Sequence, residues 1–352
     1  MTTQLATIFD ALKSEPRLLL EAELKPVQGD RFQPTGFPDL GAALYLRPDG
    51  TEMLLIESAQ SMANRLESVC WDEAVDKIAA PLTGLPHVVV NFDNGQQTSS
   101  LQEAHRLNSG YIMDNSDLGK QITQDIGATD AGIVDMRKVA KAVFSRDPNT
   151  LLHGVFFARK EIVQGRARLQ RLLSSFIEAE NVMTATSGGV KIDRMSPKGA
   201  EGQSSDEGYG NIIYTRTEYT AAKIIAYFNL DLATMRGYGL GDAANRLLMA
   251  LALYKITQLL HGGLRLRTAC DLEAEKATVT RPKNLQIEDL AALRDEVTKA
   301  LPALIAACEF GADAITQVPA TIAPKKAKSK KEGAVASSAT TASDDDNDTR
   351  EV

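Results

Sequence analysis

The stretch from Gly29 to Asp72, GDRFQPTGFPDLGAALYLRPDGTEMLLIESAQSMANRLESVCWD, constrains this chain more than any other. A loop bearing Gly and Pro (Gly29 to Gly41) runs into a short apolar segment, Ala42 to Leu46. A Pro48-Asp49-Gly50 turn follows, then a second apolar run ending at Ile56, so Ala42 to Leu46 and Glu52 to Ile56 are expected to pair as a hairpin. The chain passes directly from there into a helix, Ser58 to Ser68. On a 3.6-residue repeat Ser58, Ser61, Arg65 and Ser68 share one face, with Gln60 and Asn64 beside them. Met62, Ala63, Leu66, Val69 and Cys70 point the other way, toward a core. Exposed helix faces usually carry Lys and Glu. This one carries hydroxyls, amides and one Arg, groups that hydrogen-bond phosphate and sugar oxygens without reading bases. An ordinary amphipathic helix with a neutral polar face has the same pattern, and spacing alone does not separate the two.

Patterning elsewhere predicts a mixture of strands and helices. Residues 5 to 14 read as a short helix, Leu18 to Lys25 as a strand, and the residues after Ser68 as a second helical piece to about Ala80. His87 to Phe92 is a buried-type strand. Residues 100 to 146 read as mostly helical, with starts at Asp114 and Asp135 and a stop at Pro148. Gly154-Val-Phe-Phe is strand-like, and residues 169 to 178 fit either type. Ile212 to Tyr219 and Leu264 to Thr268 are strands. Asp242 to Leu260 is the clearest helix, with Ala243, Ala244, Leu247, Leu248 and Leu251 on one face, and Gln286 to Cys308 gives one or two more. Thr184 to Asn211 is rich in Gly, Ser and charge, too long for a casual connection, and so functional or disordered. From about Pro319 the chain lacks the apolar surface to offset ordering entropy, so residues 319–352 are expected to form a disordered tail. The whole predicts an α+β domain over residues 1–318, ferredoxin-like with inserted lobes, although element order alone does not exclude an α/β fold.

Bulk chemistry removes several function classes. The longest apolar run, Leu247 to Leu260, is too short for a bilayer and contains Lys255, and no secretory signal is visible, so a cytoplasmic protein without a membrane span is expected. Cys70, Cys270 and Cys308 are odd in number and lack CxxC spacing, which fits buried thiols in a reducing compartment. His87, His105, His153 and His261 have neither HxH nor HExxH spacing, no GxSxG elbow occurs, and no acidic pair stands out as a metal site. Gly237, Gly239 and Gly241 give GxGxG, not a dinucleotide fingerprint, with no clear strand before them. Asp242 at the expected helix cap would repel an anion there, so a packing role is expected. No cofactor, metal ligand or catalytic residue is expected. The net charge of −7 runs against nucleic-acid binding as an average. Phosphate contacts, however, are made by local patches. Residues 159 to 171, RKEIVQGRARLQR, carry five basic residues against Glu161 alone. In GGLRLR, Arg265 and Arg267 alternate with leucines and so face one side of a strand behind two glycines. Arg31, Gln33, Ser58, Ser61, Asn64, Arg65, Arg159, Arg166, Arg168, Arg265 and Arg267 are the candidate RNA-backbone contacts. Pairing of individual arginines with the chain's many carboxylates is the competing explanation.

The runs RFQPTGFPDLGAA and ESAQSMANRLE resemble the backbone subunit of the type I-G (formerly I-U) CRISPR effector complex, in the RAMP superfamily. The resemblance extends to HGVFFARKEIVQGRARLQRLLSSFIEAENV, GYGNIIYTRTEYT and HGGLRLRTACDLE, together most of residues 15 to 310. It implies a modified RNA-recognition-motif core with inserted lobes and a thumb loop, here about 184–211, whose glycines let it fold over RNA. It implies a non-catalytic scaffold whose copies polymerise along a CRISPR guide RNA and present its bases to target DNA. The implied partners are other copies of the chain, a large subunit, a fused guide-processing subunit and a recruited nuclease-helicase. Related RAMP subunits cut RNA with an aspartate in a comparable loop, so Asp39 with a divalent metal is the alternative.

Overall fold

Alternation in Arg17–Pro26 buries Leu18, Leu20, Ala22 and Leu24 on one face, and this strand becomes the middle of a sheet. The structure is a computed structural model that describes residues 3–37, 41–114, 116–126, 135–158, 162, 167–192, 210–311 and 314–320. Asp39, Arg159, Arg166, residues 193–209 and the tail from 321 onward lie outside the described residues. Two units divide the chain, Met1–Ala320 and Thr321–Val352, and all that follows concerns the first.

Among the described residues the principal sheet has eight strands: β1 (Arg17–Pro26), β2 (Gly36–Phe37), β3 (Gly41–Leu46), β4 (Glu52–Glu57), β5 (Leu173–Glu180), β6 (Lys223–Asp231), β7 (Leu264–Arg267) and β8 (Cys270–Arg281). Their spatial order is β7-β8-β1-β6-β5-β4-β3-β2, antiparallel throughout. The main helices are α1 (Gln4–Leu12), α2 (Ala59–Ser68), α3 (Met136–Arg146), α4 (Pro148–His153), α5 (Asp242–Gly262) and α6 (Leu290–Ala306). The central strands β1, β5, β6 and β8, with α2 before β5 and α5 after β6, follow the strand-helix-strand-strand-helix-strand order expected of a ferredoxin-like core. The β3–β4 hairpin across Pro48-Asp49-Gly50 is spliced in ahead of α2 and widens the sheet beyond β5. Both α2 and α5 cover the inner face of the sheet, and α6 packs on α5. Covered on both sides, α5 is buried all round from Leu247 to Ile256, where a single apolar face was expected.

Several expectations are corrected by local chemistry. After α2 the chain does not continue as helix. The Asp72 carboxylate accepts from the Ala74 N–H, turning the chain into a small hairpin (Trp71–Asp72 with Lys77–Ile78) and then a single 3-10 turn, Ala80–Leu82. Residues 101–109 hold turns and one 3-10 turn, Arg106–Asn108, and among the described residues α-helix there is Gly110–Met113, Ser116–Ile126 and α3. Helix α3 ends at Arg146, just before Pro148 as expected, and Pro148 also starts the next one: it is the first residue of α4, where its missing N–H costs nothing, and Asp147 caps it. Gly241, not Asp242, is the cap of α5, and the Asp242 carboxylate accepts from Arg246 Nε. No strand leads directly into the GxGxG segment, as expected: the short helix Leu232–Gly237 stands between it and β6. The expected loop from Thr184 begins as strand: Met183–Lys191 pairs with Ile212–Thr220 as a hairpin. Gly189 there lies under the Tyr214 ring, 2.7 Å from its hydroxyl at the position a Cβ would take. At the other end, Ile315–Ala320 pairs parallel with His87–Phe92, carrying order two residues past the expected boundary at 318. Pro319 is tolerated because that strand is an edge.

Gly154 joins α4 to the ribbon formed by Val155–Phe157 and Ala167–Leu169. Its φ of 81° and ψ of 157° lie in a region open essentially to glycine. A Cβ there would also stand 3.0 Å from Arg171 N and Leu169 O, both backbone atoms. Gly154→Ala is therefore expected to lower the unfolding free energy by about 2 kcal/mol or more, read from denaturant midpoints; unchanged stability would contradict this.

Candidate nucleic-acid interface

Glu57 ends β4 with its side chain fully buried. It accepts hydrogen bonds from Thr35 Oγ1 at 2.8 Å, Arg65 Nε at 2.7 Å and the Ser61 hydroxyl. Ser58 caps α2 by accepting from Ser61 N. Arg65 reaches on to the carbonyl of Leu266 at 3.0 Å, and its third nitrogen approaches that of Arg265 at 3.5 Å. Gln33 N donates to Ala269 O at 2.7 Å, and Arg267 Nη1 to Pro34 O at 3.0 Å. These bonds sew the 31–35 loop, α2 and the β7–β8 turn together. The structure thus gathers most of the predicted residues, but Ser58, Ser61, Arg65 and Arg267 are engaged by the protein itself. Arg31 pairs with Glu218 at 2.9 Å, which also accepts from the Ser187 hydroxyl. Asn64 and Arg265 are exposed, with no side-chain hydrogen bond among the described residues. The leucines of GGLRLR are buried and its arginines outward, as the alternation predicts.

Arg168 lies elsewhere. It lines a cleft of about 700 Å³ with Gln60, His105, Arg106, Phe156 and Arg171. The ribbon sets Arg168 directly across from Phe156, both outward, while Val155, Phe157, Ala167 and Leu169 are buried. Arg171 donates to the carbonyls of Ala59 (2.7 Å) and His153 (3.3 Å). Burial, and secondly the charge of Arg106, lower its pKa. Among the described residues no carboxylate lines the cleft or pairs with Arg168 or Arg171. Gln60, in the first turn of α2, adds the positive end of a helix dipole. Arg168 and Arg171, without a carboxylate partner among the described residues and beside an exposed ring, have the chemistry to hold an anion attached to something flat.

Below the cleft runs a buried polar chain. Arg106 grips Glu67 with two bonds, 2.6 and 2.7 Å, and Asn149 Nδ2 donates to the same carboxylate at 2.9 Å. Lys255, fully buried, donates to Asn149 Oδ1, to Leu66 O at 3.3 Å and to His153 Nε2 at 3.1 Å. Burial, then the charges of Lys255, Arg106 and Arg171, hold His153 well below the usual imidazole range. The ring is therefore neutral, and since Nε2 accepts from Lys255 its proton sits on Nδ1. Of the other histidines His87 is buried against Leu85 O, and His105 and His261 are exposed. Cys70 and Cys270 are buried as expected, Cys308 only partly.

The sheet face turned away from α2 and α5 is a poor nucleic-acid platform. Its aromatic pair, Phe176 and Tyr227, stacks on itself with centroids 4.9 Å apart. Glu21 stands opposite Tyr227 in the register, and Glu178 and Glu180 follow along β5. The Tyr45 hydroxyl, pushed up to about 12 mainly by burial, donates to Glu178 at 2.7 Å.

Sequence reasoning missed His105, Arg106 and Phe156 as site residues, and counted Arg171 only as one of the five basic residues of 159–171. One signal was present: in the run Val155-Phe156-Phe157, period-two alternation must turn one side chain outward. His105 and Arg106 gave none, since their place depends on Glu67, 39 positions away in sequence.

Residues 18–184, a little under half of the chain, match the model of a family described as CRISPR-associated protein GSU0053 (Cas_GSU0053). The match takes in β1, α2, the ribbon and β5. No curated protein matches the chain. Among solved structures, a chain of a "CRISPR RNA-guided surveillance complex, pre-nicking" is 13% identical over 75% of each chain, with a TM-score of 0.41. The crystal structure of Thermofilum pendens Csc2 is 11% identical, covering 86% of this chain and 80% of that one, with a TM-score of 0.30. Overlaps this loose carry no argument of their own.

Two stability measurements check the networks. Arg65→Ala strands a buried carboxylate and is expected to cost about 3 kcal/mol in chemical unfolding; a loss below about 1 kcal/mol would mean that Glu57 does not need it. The depressed His153 pKa makes the unfolded chain bind the extra proton, so its contribution is present above about pH 6.5 and is lost as pH falls toward the folded value. Between about pH 6.5 and 5 the wild type should lose up to about 1.4 kcal/mol per pH unit more than His153→Gln, and parallel pH profiles would contradict the assignment.

Proposed function

We propose that this chain is a non-catalytic backbone subunit of a type I-G CRISPR effector complex, built on a modified RNA-recognition-motif core. Copies would join head to tail along one guide RNA, each holding the ribose-phosphate backbone and leaving bases to pair with target DNA. A heterologous contact of this kind does not close on itself, so it extends into a filament. Sequence specificity would then reside in the guide. The hairpin Met183–Lys191 with Ile212–Thr220 is the base of the thumb under this reading, and its exposed Met183, Val190, Ile212 and Ile213 are available to a neighbouring copy. The large subunit, the fused guide-processing subunit and the nuclease-helicase are the remaining partners.

The observation that carries the reading is the cleft of Arg168 and Arg171, which no carboxylate lines among the described residues in a chain of net charge −7. The partial match to a CRISPR-associated family supports it independently. The proposal shifts backbone gripping from Arg65 and Arg267, held internally, to the exposed Arg168, with Arg171, partly held by the Ala59 and His153 carbonyls, beside it and Asn64 and Arg265 as exposed auxiliaries. Arg168→Ala should weaken single-stranded RNA binding by a similar factor for every sequence. It should also reduce the slope of log affinity against log salt by about 0.7, one phosphate's worth on a single strand. Fluorescence anisotropy over a salt series measures both; loss confined to one sequence, or none at all, would defeat the proposal.

A further inference from the structure

Phe156 is 50% exposed although both its chain neighbours are buried. The three-residue strand that carries it cannot hide all three side chains, and the one turned out is a phenyl ring where a polar residue would suit water better. It stands across the ribbon from Arg168, at the rim of the cationic cleft. The rings of Phe144 and Phe310, Phe92 and Tyr111, and Phe176 and Tyr227 pair with one another, whereas Phe156 has no ring contact among the described residues.

We infer that Phe156 is a stacking platform for one unpaired nucleobase of a strand whose adjacent phosphate lies on Arg168. This rests on the reading of the cleft as the site that grips nucleic acid. A phenyl ring has no donor or acceptor, so it takes any base by its π-face, in keeping with a site blind to sequence. Bases in a duplex are already stacked on both faces, so the platform selects single strands. An acidic peptide could satisfy the guanidinium groups but would leave the ring without a partner of its own kind. The cleft's anion-binding groups and the ring together fit a nucleotide, in which phosphate and planar base are joined at a fixed spacing.

The test compares full-length wild type, Phe156→Ala and Phe156→Tyr for binding two fluorescent oligomers of equal length, one single-stranded RNA and one abasic throughout. Phe156→Ala should bind the intact RNA about tenfold more weakly, a loss typical of one stacked base. It should bind the abasic strand within about twofold of wild type, and Phe156→Tyr should restore the tenfold. Unfolding midpoints for the three proteins should coincide, as the residue is half exposed. Equal weakening on both oligomers, no weakening on either, or a polyglutamate peptide displacing RNA more readily from wild type than from Phe156→Ala would overturn the inference while leaving the gripping site standing. Wild type that binds neither oligomer would remove the underlying reading as well.

Discussion

A buried carboxylate stands at each end of α2, and the arrangement around the helix follows from satisfying the two of them. Glu57 lies just before its cap and Glu67 in its last turn, and both are buried. An ionised carboxylate in such a place costs several kcal/mol unless it is paired and hydrogen-bonded, and losing one partner is more destabilising than the pair was stabilising. Each therefore commits an arginine from a different part of the chain, Arg65 on the helix itself and Arg106 in a 3-10 turn. Through Arg65 the helix is fixed to the β7–β8 turn. Through Arg106, Asn149 and Lys255 it is fixed to α4 and α5. The floor of the cleft is held by charge-assisted bonds that solvent does not screen.

The same constraint divides the chain's arginines into two populations. Those at positions 65 and 106 are structural because a buried acid needs them, and 31 is tied to Glu218. Those at 168 and 171 face a cleft with no acid among the described residues. An acidic protein can thus hold a cationic furrow, because its carboxylates are spent inside or on other faces. The outer sheet face, with Glu21, Glu178 and Glu180 around its aromatic pair, is one such face. Under the proposed function this would move RNA away from the face that a simple RNA-recognition motif uses and onto the helix side of the sheet.

Much of the core was legible because periodicity reports burial directly. The alternation in Leu18 to Leu24 and in Leu264 to Arg267, the Pro-Asp-Gly turn and the helix that follows Ile56 all depend on neighbours in sequence, and all are where the pattern puts them. The misreadings have a common origin. Asp72 and Asp147 redirect the backbone with their own side chains, and propensity summed over a window does not register that. Strand β8 was overlooked because its outward residues are charged and its inward ones few, so pairing with β1 supplies what its own pattern lacks. The site was half legible for a different reason. Residue type identified groups able to bind phosphate, but whether an arginine is available depends on carboxylates that are distant in sequence, as Glu57 is from the carbonyls that Arg65 also holds.

The most direct measurement of the central claim is photocrosslinking of a 4-thiouridine-substituted single-stranded RNA to the full-length protein, with the attached peptides identified by mass spectrometry. The account predicts crosslinks concentrated on the segments carrying Phe156, Arg168 and Arg171 and on the first turn of α2 around Gln60. Crosslinks confined to the outer face of the sheet, at Phe176 and Tyr227, with none in the cleft, would contradict it.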